Sequence, residues 1–157
     1  MNELGGYDLE DLRVGMSDSF VKTLDEPDIV MFANATGDHN PLHLDEAYAR
    51  GTRFGGRIAH GMLSASVISA ALAARLPGPG TLYLSQHLQF RRPVMLGETV
   101  RAIVEIRELD LARQRVLLST RCEVNGKVVV DGEAVVKATS KRPGGAGLPE
   151  RAMQLAD

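Results

Sequence analysis

The sequence predicts an α+β domain in which one buried helix packs against an antiparallel sheet. The segment Gly61–Leu76 is small and apolar nearly all round and has no charge before Arg75, as expected of a helix that is buried on most sides. The chain from Thr81 to Thr139 repeatedly alternates apolar and polar residues, which indicates strands. The pair Asn125-Gly126 separates two of these segments and is typical of a tight hairpin turn. One helix followed by a run of antiparallel strands is an α+β arrangement.

Length and composition indicate one globular domain with no general attraction to nucleic acid or anionic membranes. The chain has 157 residues, of which 44% are hydrophobic, and a formal net charge of -2. No apolar run is long enough to span a bilayer, and the acidic N-terminus lacks the features of a signal peptide. Cys122 is the only cysteine, so no internal disulfide can form. We expect a cytoplasmic protein with one domain over residues 1–140 and a loosely ordered tail over residues 141–157.

Before the central helix, the sequence predicts one strand and two shorter helices. We expect the strand over Leu12–Lys22. The first helix follows Asp25, which is placed to cap it, and ends at Gly37, because glycine readily adopts the left-handed conformation found after helix ends. A shorter helix with its own cap and stop is predicted over Asp45–Gly51. The glycine-rich segment between this helix and the central one is predicted to be a loop.

The segment Pro77–Gly80 is expected to end the central helix, and four strands are expected after it. They cover Thr81–Phe90, the alternating segments 100–107 and 115–122, and Lys127–Thr139. Consecutive strands of this kind predict an antiparallel meander. With a single helix on one face, the edge strands stay unpaired, and pairing with a second copy of the chain would cover them. We therefore expect a homodimer.

The stretch GDHNPLH, from Gly37 to His43, concentrates titratable side chains on backbone that glycine and proline make irregular. Such a loop can direct the side chains of Asp38 and His43 into the same cavity. A carboxylate and an imidazole placed in this way can handle two protons of one reaction. The alternative is a structural loop, in which Asp and Asn bond their own backbone. A metal site at His39 and His43 is disfavoured, because Pro41 interrupts the helix that would bring them to one face. We expect neither a metal nor a redox cofactor.

Gly61, at the start of the central helix, is a candidate site for a developing oxyanion. The first N–H groups of a helix have no internal partner and lie at the positive end of its dipole. A glycine there lets a ligand approach the backbone closely. The alternative is that Gly61 only allows the helix to turn tightly into a packed core. No role is assigned to His60 or His87.

The segment FANATGDHNPLHLDEAYA, from Phe32 to Ala49, resembles the signature of the MaoC-like dehydratases, which include the (R)-specific enoyl-CoA hydratases. The likeness continues through IAHGMLSASVIS, LPGPGTLYLSQHLQFRRPVMLGE and GEAVVKA, and it covers most of the chain from Asp11 to Ala138. It implies a hot-dog fold, in which a curved antiparallel sheet wraps a long central helix. It also implies reversible hydration of a trans-2-enoyl-CoA, with coenzyme A as part of the substrate and no further cofactor.

The resemblance also assigns roles to individual residues by position. It implies that Asp38 and His43 are the catalytic pair and that the Gly61 N–H is the oxyanion donor. It implies that Asn40 helps to set the loop and that Ser69 supports the Asp. The product expected from this family is the (R)-3-hydroxyacyl thioester.

Three alternative functions stay open. The same chemistry on an acyl carrier protein would be favoured by a basic patch at the mouth of the cleft, because carrier proteins are acidic. A non-catalytic partner subunit that only binds the acyl tail is disfavoured by the intact Asp38/His43 pair, and a thioesterase is disfavoured by the GDHNPLH motif. Arg91 and Arg92 are candidates for phosphate contacts, although a solvated strand end explains them equally well.

Overall fold

The computed structural model describes residues 1–142, so most of the predicted tail, residues 143–157, lies outside the described residues. The described residues form the helices α1 Glu26–Thr36, α2 Pro41–Leu44, α3 Glu46–Arg50 and α4 Gly61–Ala74. They form the strands β1 Ser17–Thr23, β2 Leu82–Phe90, β3 Thr99–Asp110, β4 Arg115–Val124 and β5 Lys127–Lys137. The predicted α+β class is confirmed. None of these helices is long and apolar enough to cross a membrane.

The five strands form one antiparallel sheet in the order β1-β3-β4-β5-β2. Strands β3, β4 and β5 follow one another as the predicted meander. β2 departs from that prediction, because it lies beside β5 at an edge of the sheet and not beside β3. A Cβ atom at Gly132 of β5 would lie 1.8 Å from the carbonyl oxygen of His87, so glycine is what lets β2 approach β5 here. The alternation of apolar and polar residues predicts that a segment is a strand, but it does not predict which strand lies beside it.

Helix ends and the hairpin turn follow the predicted local chemistry. The Asp25 side chain accepts a hydrogen bond from the Asp28 N–H, and the Asp28 carboxylate accepts one from the Asp25 N–H. Gly37 ends α1 with a φ of 82°. Asn125 and Gly126, with φ values of 50° and 76°, form the turn between β4 and β5. Helix α3 likewise matches the predicted short helix.

Strand β1 begins at Ser17, so the predicted start at Leu12 was wrong. Leu9–Asp11 form a short 3-10 helix, and Gly15 has a φ of 90°, which a regular strand does not allow. Leu12 is nevertheless buried in the core. Its apolar character therefore reflects core contact rather than membership of a strand.

The core lies between α4 and one face of the sheet, where α4 packs against β1, β3 and β4. The residues of β3 and β4 that alternation predicted to face inward are buried: Val100, Ala102, Val104, Ile106, Val116, Leu118, Thr120 and Cys122. Ile68 and Leu72 of α4, at 0% and 1% exposure, belong to the same cluster. This packing holds the first turn of α4 in place beside the loop that follows α1.

One face of α4 is uncovered, whereas its apolar sequence predicted a helix that is buried on most sides. Met62 is 57% exposed, and Ser66 and Ser69 are also exposed. Between this face and β2 lies a cavity of about 700 Å³. Small side chains suit a close helix–sheet contact and the wall of a cavity equally well, which is why composition did not distinguish the two.

Candidate active site

Asp38 lies in a tight turn that directly follows the end of α1. After Gly37, the Asp38 N–H donates to Thr36 Oγ1 at 3.2 Å. The Asn40 N–H donates to the Asp38 carboxylate at 3.3 Å, and Asn40 Oδ1 accepts from the Leu42 N–H at 3.0 Å. Asn40 thereby joins the Asp38 turn to helix α2. The Asp38 side chain is exposed and lines the large cavity beside α4.

His43 lies on the one-turn helix α2, where the sequence analysis expected only irregular loop. Asn40 caps this helix and Pro41 takes its first position, where a missing N–H costs nothing. His43 is 7% exposed, and its Nδ1 lies 2.8 Å from the carbonyl oxygen of Ile58. Because a carbonyl oxygen only accepts hydrogen bonds, Nδ1 is the donor. Nε2 of the neutral ring therefore keeps its lone pair and can accept a proton.

His60, to which the sequence analysis gave no role, contacts both Asp38 and His43. It is 1% exposed, and its Nε2 donates to the backbone carbonyl oxygen of Asp38 at 3.0 Å. Its ring stacks on the His43 ring, with centroids 4.0 Å apart and an interplanar angle of 33°. Burial lowers the pKa of His60 below its ordinary value. The only sequence signal for a role of His60 was its position beside Gly61. Its contact residues, Asp38 and His43, lie in an earlier part of the chain.

The structure brings the two predicted acid–base residues together. One side-chain N or O atom from each of Asp38, His43 and His60 lies within 4.8 Å of the other two. Asp38 lines the large apolar cavity of about 700 Å³, whereas His43 lines a smaller cavity of about 270 Å³. The pair therefore stands where two cavities approach each other. A carboxylate and an imidazole this close can hold one water molecule and exchange protons with it.

Gly61 is the first residue of α4 and lines the smaller cavity together with His43. Its N–H donates no hydrogen bond to any atom of residues 1–142. A Cβ atom at this position would lie 3.0 Å from the ring of Phe90, so the glycine also makes room for that side chain. Ser69 lines the large cavity with Asp38, but no hydrogen bond joins the two within the described residues. Its support of Asp38 stays a prediction.

Three arginines line the smaller cavity: Arg53, Arg91 and Arg92. Arg91 forms an ion pair with Asp131, with 3.1 Å between Nε and Oδ1. Arg92 donates to the carbonyl oxygen of Val128 at 2.7 Å. In the part of the chain that the structure describes, neither Arg53 nor Arg92 forms an ion pair with a carboxylate. This cavity can therefore accept an anionic group beside His43.

The cluster of Asp38, His43 and His60 has the residue types of a metal site, but its geometry does not suit one. A metal bound by two imidazoles lies in the plane of both rings, about 2 Å from each nitrogen. The His43 and His60 rings have centroids 4.0 Å apart and 33° between their planes, which is closer to a stack than to an arrangement in which two in-plane lone pairs converge on one ion. This arrangement disfavours one ion bound by both rings. His39, weighed from sequence as a possible ligand, is not part of the cluster.

Comparison with known proteins identifies the family. A family model described as "MaoC like domain" matches residues 14–128. The chain belongs to the MaoC-like family. This MaoC-like chain is 50% identical over 132 residues to a 3-hydroxybutyryl-CoA dehydratase of Methylorubrum extorquens, with 84% of each chain covered. It is 48% identical over 132 residues to an (R)-specific enoyl-CoA hydratase of Rhodospirillum rubrum, covering 84% of this chain and 92% of the relative.

A solved structure of a similar protein confirms the fold. The chain matches the unliganded R-hydratase PhaJ1 from Pseudomonas aeruginosa with a TM-score of 0.83 and 47% identity, covering 87% of this chain and 88% of that one. The predicted hot-dog fold is therefore confirmed, as is the predicted resemblance. These relatives are named hydratases or dehydratases, and this MaoC-like chain is accordingly a hydro-lyase.

Proposed function

We propose that the chain catalyses the reversible hydration of a trans-2-enoyl-CoA to the (R)-3-hydroxyacyl-CoA, with Asp38 and His43 activating the water. The main supporting observation is the approach of the Asp38 and His43 side chains to within 4.8 Å of each other at the junction of two cavities. The general reaction class, addition or removal of water at an acyl thioester, follows from the names of the relatives. The roles of the individual residues are our own assignment.

The water is held between the Asp38 carboxylate and His43 Nε2, both of which can accept one of its protons. As its oxygen bonds to C3 of the enoyl thioester, the pair removes one proton from it. The electrons of the C2–C3 double bond shift toward the thioester carbonyl and give an enolate. The pair then returns a proton to C2, so the enzyme neither gains nor loses a proton overall. Dehydration follows the same steps in reverse.

The enolate oxygen is stabilised by the N–H of Gly61. This N–H has no acceptor within residues 1–142 and lies at the N-terminus of α4, where the helix dipole favours negative charge. A donor of this kind acts mainly in the transition state, because negative charge develops on the oxygen only then. Removing one such donor from an enzyme typically reduces kcat by about 10²–10³-fold. No metal is needed to bind the thioester oxygen in this arrangement.

The two cavities indicate how the substrate lies. The acyl tail occupies the large cavity, whose walls include the apolar side chains Phe32, Met62 and Leu88. The arm of the carrier occupies the smaller cavity, where His43 and Gly61 stand beside the arginines. This places the C2–C3 bond at the junction, within reach of the proposed pair.

Coenzyme A is the proposed carrier. Its phosphate groups suit Arg53 and Arg92, which have no carboxylate partner in the described chain, because guanidinium groups bind phosphate in a bidentate manner. The same arginines also favour a second candidate, a 3-hydroxyacyl-ACP dehydratase, since an acidic carrier protein would approach a basic cavity. The ion pair of Arg91 with Asp131 reduces the positive charge available to such a protein surface.

A homodimer is the proposed assembly. β2 pairs with β5 along one side, and its other side has no strand partner among residues 1–142. Tyr83, Leu84 and Phe90 of this strand are 39%, 41% and 53% exposed. Pairing β2 with its copy across a two-fold axis would cover these side chains and continue the sheet.

The proposed reaction is tested by the loss of enoyl absorbance on crotonyl-CoA, followed by analysis of the product. Because the Asp38 turn and the adjoining helix α2 together supply the groups for both hydroxide and proton, the addition takes place on one face of the enoyl plane. We expect signal with an (R)-specific 3-hydroxyacyl-CoA dehydrogenase and none with an (S)-specific one. Comparing kcat/KM for crotonyl-CoA and crotonyl-ACP decides between the two carriers. A racemic product would contradict the single-sided site.

A further inference from the structure

We propose that His60 is a positioning residue that sets the distance and orientation between Asp38 and His43. This inference rests on the proposed function, because it concerns the pair that moves the protons. His60 is 1% exposed, so substrate does not reach it. It acts through its neighbours: Nε2 holds the backbone of Asp38, and one ring face supports His43.

The two contacts of His60 restrain different movements. The 3.0 Å hydrogen bond holds the Asp38 carbonyl oxygen, and so the direction in which that residue projects its carboxylate. The stacked ring blocks rotation of the His43 ring out of its plane, with centroids 4.0 Å apart. The bond from His43 Nδ1 to Ile58 already restrains rotation within that plane. Phe32 of α1 lies against His60 in turn, at 4.7 Å between centroids.

A residue that only filled space here would be apolar. The Nδ1 atom of His60 is buried and has no hydrogen-bond partner in the described part of the chain. Burying a polar atom in this way is unfavourable and requires an explanation. Phenylalanine would supply the ring without the donor, and glutamine would supply the donor without the ring. Histidine supplies both at one position, which accounts for the unpaired nitrogen.

His60 has to stay neutral in this role. The titratable groups that face it are Asp38 and His39 of the loop and His43 of α2. A second proton would lie on the buried Nδ1, beside the His43 ring that is to accept a proton itself. Burial lowers the pKa of His60 and opposes this. The neutral ring with its hydrogen on Nε2 keeps the donor directed at Asp38.

Two variants separate the contacts. In His60→Phe the ring stays and the donor is lost, whereas in His60→Gln the side-chain amide can still donate to Asp38. We expect kcat for crotonyl-CoA hydration to fall by roughly 10²-fold in His60→Phe, with KM within about threefold, because the substrate cavities are unchanged. His60→Gln should recover part of that loss. His87→Gln, at an exposed position on β2, is the control and should behave as wild type.

A merely structural role for His60 predicts a different result. It would lower the folded fraction, while kcat per folded molecule and the pH profile of kcat/KM would stay those of the wild type. That outcome in a variant that is folded by circular dichroism overturns the proposal. A shift of the acid limb of the pH profile, together with the loss of kcat, supports it, because the surroundings of His43 then have changed.

A measurement on the wild-type protein keeps the proposal testable even if the variants do not fold. The chain contains four histidines, so ¹⁵N-histidine labelling gives four resolvable rings. From about pH 6 to pH 8, we expect His60 as the neutral Nε2–H tautomer and neutral His43 as the Nδ1–H tautomer. A charged His60, or a hydrogen on its Nδ1, overturns the proposal. Absence of crotonyl-CoA hydration by the wild type would instead contradict the proposed function, whatever the tautomers.

Discussion

The Nδ1 of His43 donates a hydrogen bond of 2.8 Å to the backbone carbonyl oxygen of Ile58, and this contact determines which ring nitrogen can act as a base. Ile58 is itself held in place, because its N–H donates to the carbonyl oxygen of Leu42 at 3.2 Å and its backbone pairs with Met95. The acceptor is therefore part of the backbone framework. Nε2 is left with its lone pair, directed away from this contact.

Asp38→Asn and His43→Ala should each reduce hydration of crotonyl-CoA by about 10²–10⁴-fold, the usual effect of losing a positioned acid or base. Asp38 lies in an exposed turn and His43 on the one-turn helix α2, and neither belongs to the hydrophobic core between α4 and the sheet, so circular dichroism should show an unchanged fold. His39→Ala is the matched control, since His39 is an exposed neighbour that contacts Asn34. Near-normal turnover in either folded variant would contradict the assignment of the pair.

Arg53→Gln and Arg92→Gln should each raise KM for crotonyl-CoA by roughly tenfold, the effect expected from losing a hydrogen bond to a charged group. KM for crotonyl-pantetheine should not change, because that thioester lacks the phosphate groups of the nucleotide. Steady-state kinetics with the two substrates measure the difference. Arg101→Gln, at an exposed position on β3, serves as the control. Equal increases in KM for both thioesters would show that the arginines maintain the shape of the cavity and do not bind phosphate.

The wild-type protein should have a mass of twice 17.0 kDa in light scattering at micromolar concentration. Leu84→Asp should shift it toward the monomer, because a charge at the unpaired edge of β2 disfavours strand pairing. Val21→Asp is the matched control: Val21 is a similarly exposed apolar residue on β1, the opposite edge of the sheet. A wild-type mass near 17.0 kDa would rule out the dimer.

Asp8 should stabilise the fold in a pH-dependent way. Its carboxylate accepts hydrogen bonds from Thr139 Oγ1 at 2.6 Å and Asn2 Nδ2 at 3.0 Å, and these bonds lower its pKa in the folded chain. A lowered folded pKa contributes stability above the unfolded pKa of about 3.9, and this stability is lost as the pH falls through the folded value.

Asp8→Asn should therefore lower the free energy of unfolding by about 1–2 kcal/mol at pH 7, with a smaller difference near pH 2. Thermal unfolding at both pH values measures this. Glu3→Gln is the control, because Glu3 lies in the same segment and makes no hydrogen bond or ion pair within residues 1–142. A difference between Asp8→Asn and wild type that is equal at both pH values would contradict a role for the charge.

Local chemistry explains which features could be predicted from the sequence. Asp25 bonds within its own first turn, Gly37 needs only a left-handed backbone, and Asn125-Gly126 forms a turn from adjacent residues. Each depends on neighbours a few positions away, so the sequence contains all the information required. The GDHNPLH motif, which predicted the Asp38/His43 pair, is equally local.

By itself, then, the sequence determined α1, α3 and α4, the five strand segments apart from the start of β1, the α+β class and the proposed acid–base pair. Only the tertiary structure decided that β2 lies beside β5, that one face of α4 opens on a cavity, and that His60 contacts Asp38 and His43. The physical reason is distance along the chain, since His60 is 22 residues from the carbonyl that it bonds. The sequence does not distinguish a buried histidine from an exposed one, because burial depends on partners that only packing brings together.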